Sequence, residues 1–144
     1  MTIEDVDPTA VVAGDSWQLL LVDDLRRTRL VQYAGASGDF NPVHSDDVHA
    51  REVAGLPGVF AHGMLTMGMT GRVVTEVFGV AAVEHYGGRF TAQVWPGDSL
   101  TAQATVDAVA GGERGRTASL SISTVNQHGA EVLRGRAVDR KSVV

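Results

Sequence analysis

The chain has 144 residues, of which 44% are hydrophobic and 20% charged, and this composition suits one globular domain with a substantial core and no second domain. A net charge of −5 and a pI near 5.4, with basic residues gathered only at Arg26-Arg27 and between Arg134 and Lys141, argue against a nucleic-acid partner. The chain contains no cysteine, which excludes disulfides, a thiolate nucleophile and a sulfur-ligated metal.

Residues 1–15 mix Asp, Pro and Gly, which predicts an N-terminal arm or loop ahead of the first regular element. This segment is acidic and has neither the basic start nor the apolar stretch of a secretion signal. No later apolar run is long enough to span a membrane. We therefore expect a cytoplasmic protein with no membrane association.

A strand and a helix are predicted next. Large apolar residues over 17–22 indicate the strand, and apolar residues over 25–36 recur at helical spacing. Asp23 or Asp24 is the expected N-cap of this helix. Gly38 is expected to end it and to permit an unusual backbone turn before the next segment.

The segment Asp39-Phe40-Asn41-Pro42-Val43-His44 places an acid close to a base. Pro42 fixes its own φ and restricts Asn41, so a tight turn is expected between Asp39 and His44. A carboxylate and an imidazole within reach of one water are the minimum equipment for acid/base chemistry at neutral pH. In the alternative interpretation, Asp39 and Asn41 bond only their own backbone and His44 merely precedes the next helix.

Ser45-Asp46-Asp47 is typical of a helix start, because acidic side chains are favourable at the positive end of the helix dipole. A short helix is predicted over residues 48–53. Gly55, Pro57 and Gly58 then predict a loop that leads to His62. Both halves of the candidate site thus lie where a loop meets a helix.

Residues 63–78 are apolar on nearly every face, which predicts a buried helix. Its interior glycines, Gly68 and Gly71, each cost about 1 kcal/mol of helix stability relative to Ala. We expect them to permit close approach of another backbone or a ligand. No G-x-G-x-x-G joins a strand to this helix, which argues against a dinucleotide site.

The remainder of the chain alternates with period two and predicts four antiparallel strands, at residues 83–95, 100–109, 117–125 and 131–139. Turn signals separate them at residues 96–98, 111–112 and 127–129. A curved antiparallel sheet wrapped around the long helix is the economical way to bury that helix. The predicted fold class is therefore α+β.

The stretch from Tyr33 to Trp95, together with the turn that follows it, resembles the MaoC-like hot-dog family of (R)-specific enoyl-CoA hydratases and (3R)-hydroxyacyl-ACP dehydratases. The motifs that carry the resemblance are Tyr33-Ala34, the run from Ser37 to His44, Ala61-His62-Gly63-Met64, Arg89-Phe90 and Pro96-Gly97-Asp98. The resemblance implies a single hot-dog domain over residues 1–144. It also implies reversible addition of water across a trans-2-enoyl thioester, carried on CoA or ACP, to give a (3R)-hydroxyacyl thioester. No cofactor and no metal are expected.

The resemblance assigns the site residues as well. Asp39 and His44 match the dyad that handles the reacting water, with the acid and base roles left open, and Asn41 is expected to orient the dyad or the water. The backbone N–H of Gly63 is the expected donor to the thioester oxygen in the enolate-like transition state. The residues expected to contact substrate are Phe60, His62, Met64, Gly68, Arg89 and Phe90.

His62, Gly68 and the basic residues have more specific expected roles. His62 is expected to act by position, or simply as a helix-cap histidine. Gly68 departs from some single-chain hydratases of the family, which have Ser there, and agrees instead with a dehydratase subunit. Arg89 and the basic residues from Arg134 to Lys141 are candidates for contact with CoA phosphates.

Other functions remain open on the sequence. A metal site would draw on Asp39, His44, Asp46, Asp47, His49 and His62, although their spacing matches no common pattern. A hot-dog thioesterase would need a carboxylate on the long helix, where Glu76 is the available one. A non-catalytic acyl-thioester-binding subunit is the third alternative. Edge strands of the sheet predict a homodimer, or a heterodimer with a second hot-dog subunit.

Overall fold

Five antiparallel strands form one sheet in the computed structural model, which describes residues 1–112 and 115–141. The strands are β1 (Ser16–Val22), β2 (Val83–Phe90), β3 (Leu100–Gly112), β4 (Gly115–Asn126) and β5 (Glu131–Lys141). Their order across the sheet is β1-β3-β4-β5-β2, so β1 and β2 are its two edges. The strands predicted from the alternating pattern are present, and the α+β class is confirmed.

The long helix α2 (Gly63–Phe78) packs against one face of this sheet. Small side chains make room for it, since Ala102 and Ala104 are fully buried and Ala118 nearly so. The buried side of the helix comprises Leu65, Thr66, Met69, Thr70, Val73, Val74 and Phe78. Burial on nearly every face was expected, and this was wrong for one face of the helix. The exposed residues recur every four positions along it: Met64, Gly68, Arg72 and Glu76. Within the described residues, no helix is long and apolar enough to cross a membrane.

Two side chains of the sheet bond directly to the backbone of α2. The indole Nε1 of Trp17 donates to the carbonyl oxygen of Val73 at 2.8 Å, and the hydroxyl of Tyr86 donates to that of Met67 at 2.7 Å. A Cβ at Gly71 would lie 3.3 Å from the Tyr86 ring, so this glycine does permit a close approach, by a side chain. At Gly68 a Cβ would meet nothing within 4 Å.

The N-terminal arm is docked onto the sheet. The guanidinium of Arg116 donates to the carbonyl oxygens of Thr9 and Val11, at 2.6 Å each, and Val11 is buried in the core. Thr2 forms an isolated bridge with Gln18 of β1. Apart from one short turn at Ile3–Asp5, the arm has no helix, and it is held by these contacts.

The first helix, α1 (Arg27–Ser37), starts later than predicted, and neither Asp23 nor Asp24 caps it. The carboxylate of Asp23 accepts instead from the hydroxyl of Ser99. Leu25 is fully buried, and its N–H donates to the carbonyl oxygen of Asp98 at 2.8 Å. Long-range packing at Leu25 therefore delays the helix. Its end at Gly38, which has a φ of 75°, is as predicted.

The second strand ends at Phe90, five residues before the predicted end. Beyond Phe90 the backbone hydrogen bonds at Val94 and Trp95 are made outside the sheet. The carbonyl of Val94 accepts from the N–H of Ala61, and the N–H of Trp95 donates to the carboxylate of Asp98, both at 2.8 Å. Residues 91–95 therefore form a wall beside the start of α2. The β3–β4 hairpin is longer than predicted, since Gly112 pairs with Gly115, and its turn lies outside the described residues.

Candidate active site

A cavity of about 650 Å³ lies between the start of α2 and the segment that follows β2. Six of the residues predicted from the sequence line it: Asp39, His44, Phe60, Gly63, Met64 and Phe90. Ala61, Thr66, residues 91–94 and Val132 complete the lining, and sequence reasoning did not identify them as site residues. The predicted acid, base and helix start are therefore brought together at one cavity.

His44 ends the short 3₁₀ turn Pro42–His44, and it is only 9% exposed. Asn41 caps this turn, because its Oδ1 accepts from the N–H of Val43 at 3.2 Å. The Nδ1 of His44 lies 2.7 Å from the carbonyl oxygen of Phe60. A carbonyl oxygen only accepts, so Nδ1 carries the hydrogen and Nε2 keeps its lone pair in the neutral ring. His44 is thereby held in the tautomer of a base.

Asp39 follows the left-handed residue Gly38 and is exposed. Its Oδ1 accepts from the N–H of Asn41 at 3.2 Å, and its own N–H donates to Ser37 Oγ at 3.2 Å. No described protein group bonds its Oδ2. The local turn bonds of the alternative interpretation are thus present, and they leave one carboxylate oxygen available at the cavity.

His62 is buried beside His44, with 1% of its surface exposed. Its Nε2 lies 3.1 Å from the backbone carbonyl oxygen of Asp39, and its ring stacks on that of His44 with centroids 4.0 Å apart. The ring of Tyr33 meets the His62 ring edge-on at 4.9 Å. His62 is the N-cap residue of α2, as the helix-cap alternative predicts, but its side chain makes no cap bond to the helix. The ring instead contacts both Asp39 and His44.

The nitrogen and oxygen atoms of Asp39, His44 and His62 that are able to bind a metal lie within 4.8 Å of one another. A metal ion must lie near the plane of each imidazole that binds it. The rings of His44 and His62 are stacked at an angle of only 29°, so their planes intersect too far from the rings for one ion to bind a nitrogen of each. Binding an ion here would require at least one ring to turn. Asp46, the first of the other proposed ligands, caps the next helical turn through Val48 and His49.

Gly63 is the first residue of α2, so its N–H has no partner within the helix. Phe90 of β2 packs directly over it: a Cβ at Gly63 would lie 2.9 Å from Cε2 of that ring. Any larger residue at this position would collide with the ring. The absence of a side chain therefore keeps the helix start and Phe90 together at the cavity.

Two predicted substrate contacts lie elsewhere. Arg89 is exposed and lines a hollow on the face of the sheet opposite to α2. Side chains alternate along β2, and Tyr86 and Phe90 face the helix, so Arg89 points away from it. Gly68 lies on the exposed row of α2 and does not line the cavity. The structure thus separates both residues from the cavity that holds Asp39.

Asp47 has a role that the sequence did not reveal. It was interpreted as part of a helix start, but its Oδ2 accepts from the Arg27 guanidinium at 2.6 Å and its Oδ1 accepts from the N–H of Val59 at 3.1 Å. The bond from Arg27 holds the pKa of the Asp47 carboxyl below its usual range. Asp47 thereby ties α1 to the loop that carries Phe60 and His62.

Comparison with known proteins shows two curated relatives from Mycobacterium tuberculosis. The chain is 40% identical over 68 residues to 3-hydroxyacyl-thioester dehydratase Y, which covers 45% of this chain and 23% of that protein. It is 35% identical over 101 residues to enoyl-CoA hydratase ChsH3, which covers 68% of this chain and 32% of that protein. The chain therefore spans about a quarter to a third of the length of these relatives.

Among solved structures, the (R)-hydratase from A. caviae involved in PHA biosynthesis superposes with a TM-score of 0.76 at 26% identity, over 91% of this chain and 97% of that one. This likeness confirms the hot-dog fold. The MaoC-like domain family matches residues 10–127, which include every residue at the cavity except Val132. Since this match covers most of the chain, the protein belongs to the MaoC-like family.

Proposed function

We propose that this protein is an (R)-specific hydratase/dehydratase, which interconverts trans-2-enoyl and (3R)-hydroxyacyl thioesters of CoA or ACP. The observation that carries the proposal is the convergence of Asp39, His44 and the Gly63 helix start on one cavity. The hydratase and dehydratase names of the relatives support the same reaction class. Every group that the reaction needs comes from the chain, so no cofactor is required.

In the hydration direction, a water molecule is held between the Asp39 carboxylate and His44 Nε2. Nε2 accepts a proton from this water as its oxygen bonds to C3 of the enoyl group. The electron pair of the C2–C3 double bond moves toward the thioester carbonyl, and C2 then receives a proton from the imidazolium. The net change is the addition of H and OH. Dehydration follows the same path in reverse.

The negative charge that develops on the thioester oxygen needs a fixed donor. The N–H of Gly63 suits this role because it is unpaired within α2 and stands at the positive end of the helix dipole. Removing such a donor typically costs about 3 to 4 kcal/mol of barrier. Phe60, Met64 and Phe90 line the same cavity and supply apolar surface for the acyl chain.

The test is the loss of the enoyl-thioester absorbance band with crotonyl-CoA and a longer trans-2-enoyl-CoA, followed by chiral analysis of the product. We expect the (3R)-hydroxyacyl product. His44→Ala should lower kcat by about 10²- to 10⁴-fold, the usual contribution of an acid/base group, and Asp39→Asn should lower kcat as well, because the carboxylate holds the reacting water. His128→Ala is the matched control, because His128 is exposed in the β4–β5 turn. Undiminished turnover by His44→Ala would contradict the assignment.

A thioesterase is less well supported. Glu76, the carboxylate on α2, is exposed, forms an ion pair with Arg72 at 2.6 Å and does not line the cavity. Release of free thiol distinguishes hydrolysis from hydration. If the folded protein turns over neither way, the non-catalytic subunit alternative is favoured.

We further propose one domain over residues 1–144 and a homodimer, or a heterodimer with a second hot-dog subunit. Support comes from the two open sheet edges, β1 and β2, and from the exposed Met64 and Phe90 beside the cavity. Sedimentation of the purified chain tests the assembly. The cytoplasmic location stays a prediction that cell fractionation would check.

A further inference from the structure

The face of the sheet opposite to α2 carries a second hollow, of about 770 Å³. This volume lies within the range of small-molecule sites. The lining residues come from β2, β3, β4 and β5, and none of them lines the cavity at Asp39. They include His85, Arg89, Gln103, Thr105, Ser121, Ser123, Glu131, Arg134 and Arg136.

Positive charge is concentrated in this hollow although the chain as a whole has a net charge of −5. Arg89 lies directly opposite Arg134 in the β2–β5 register, and Arg136 follows two residues along β5. Like charges on opposite strands repel one another. The one carboxylate of the lining, Glu131, is bonded to Arg134 at 2.9 Å and to the hydroxyl of Ser123 at 3.0 Å.

Arg89 and Arg136 therefore remain without a counter-charge. Among the residues that the structure describes, no acidic side chain lies within ion-pair distance of either guanidinium. Most other arginines of the chain have a carboxylate or a backbone carbonyl as partner, as Arg27 and Arg116 do. Two free guanidinium groups on adjacent strands thus face one hollow.

Glycine keeps the hollow open between them. Gly87 lies opposite Arg136 in the register, and a Cβ there would be 3.5 Å from His85 Nε2, an ordinary contact. A side chain at residue 87 would fit sterically, but it would occupy the hollow. Polar side chains of the neighbouring strands also line the hollow, and the hydroxyls of Ser121 and Ser123 donate to the carboxylates of Asp107 and Glu131.

We propose that this hollow binds a small molecule that carries linked phosphate groups, held by Arg89 and Arg136. A guanidinium group binds phosphate through two parallel hydrogen bonds. A single carboxylate would neutralise only one of the two free cations, whereas a diphosphate carries enough charge for both. Its source is either the nucleotide part of a CoA thioester or a free nucleotide.

Titration calorimetry with inorganic pyrophosphate at fixed salt tests the site directly. We expect saturable binding of one pyrophosphate per chain, weakened at least tenfold in Arg89→Gln/Arg136→Gln and unchanged in Arg29→Gln. Arg29 is exposed on α1, so its variant controls for the loss of charge. Absence of saturable binding to the unaltered protein, or equal affinity in all three proteins, would overturn the proposal. Melting curves check that the variants are folded.

Kinetics distinguish the two sources. If the bound phosphates belong to the substrate, the double variant loses kcat/KM at least tenfold on crotonyl-CoA and keeps it on crotonyl-N-acetylcysteamine, which has no phosphate. If the ligand is a free nucleotide, both substrates are turned over normally while pyrophosphate binding is lost. The calorimetric result needs no turnover, so it stands or fails independently of the hydratase proposal.

Discussion

Substitution of Gly63 by Ala probes the contact between the helix start and Phe90. The added Cβ would lie 2.9, 3.0 and 3.3 Å from three atoms of the Phe90 ring, whereas carbon atoms pack at about 3.5–4.0 Å. The ring must therefore retreat by about 0.5 to 1 Å, or the start of α2 must move away from it. Either movement misplaces a group that lines the cavity.

Two effects on stability oppose each other in this variant. Phe90 is 46% exposed, so its ring is able to turn, at a cost of about 0.5–1.5 kcal/mol for an unfavourable rotamer. Ala favours a helix over Gly by up to about 1 kcal/mol. The free energy of unfolding should thus change by no more than about 1 kcal/mol. Activity should fall further, because loss of an oxyanion donor costs about 10²- to 10³-fold and a displaced donor loses part of that.

We expect Gly63→Ala to lower kcat/KM for crotonyl-CoA by about tenfold to a hundredfold with a nearly unchanged melting temperature. Phe90→Leu provides the matched variant, because a shorter side chain relieves the contact. The double variant Gly63→Ala/Phe90→Leu should recover the activity of Phe90→Leu alone. Normal activity of Gly63→Ala, or a double variant as slow as Gly63→Ala, would refute the reasoning.

Three further variants test the supports of the site and the fold. Asp47→Asn should lower kcat/KM several-fold, because Asp47 holds the loop at Val59. Arg27 lowers the pKa of Asp47 in the folded state, so the stability that this carboxylate adds is present above about pH 4 and is lost as pH falls further. Melting curves at pH 7 and pH 3 should therefore show this loss in the parent protein and not in the variant. Tyr86→Phe removes the bond to α2 and should cost about 1 kcal/mol in denaturant unfolding. Burial raises the Tyr86 pKa to about 12, so the parent protein should lose stability from pH 10 to 12 more steeply than this variant. Arg116→Gln should release the N-terminal arm, which limited proteolysis within residues 1–15 would detect.

The elements that depend on local sequence were predictable. The apolar run of α2, the left-handed end of α1 at Gly38 and the alternation of β3 to β5 each follow from residues adjacent in the chain. The approach of Asp39 to His44 is local as well, because the Asn41-Pro42 turn lies between them. Asp39, His44 and Gly63 of the candidate site were therefore predictable from their own short segments.

Features that depend on distant partners were not predictable. The end of β2 depends on a bond from Ala61 to Val94, and the role of Asp47 depends on Arg27, twenty residues earlier. One error had a visible signal: adjacent residues of a strand point to opposite faces, so Arg89 and Phe90 were never able to line the same cavity. Nothing in the sequence showed which of the two faces α2.

The bonds from Trp17 and Tyr86 to the backbone of α2 have a consequence for how this fold can diversify. Hydrophobic burial against a surface of alanines has no direction and would allow the helix to slide or rotate. Two directional hydrogen bonds, six residues apart along α2, fix both its rotation and its position along the axis, and hence the position of the N–H of Gly63. The cavity wall at residues 91–94 shares neither bond. Mutations in that wall can therefore reshape the proposed space for an acyl chain while the N–H of Gly63 stays in place.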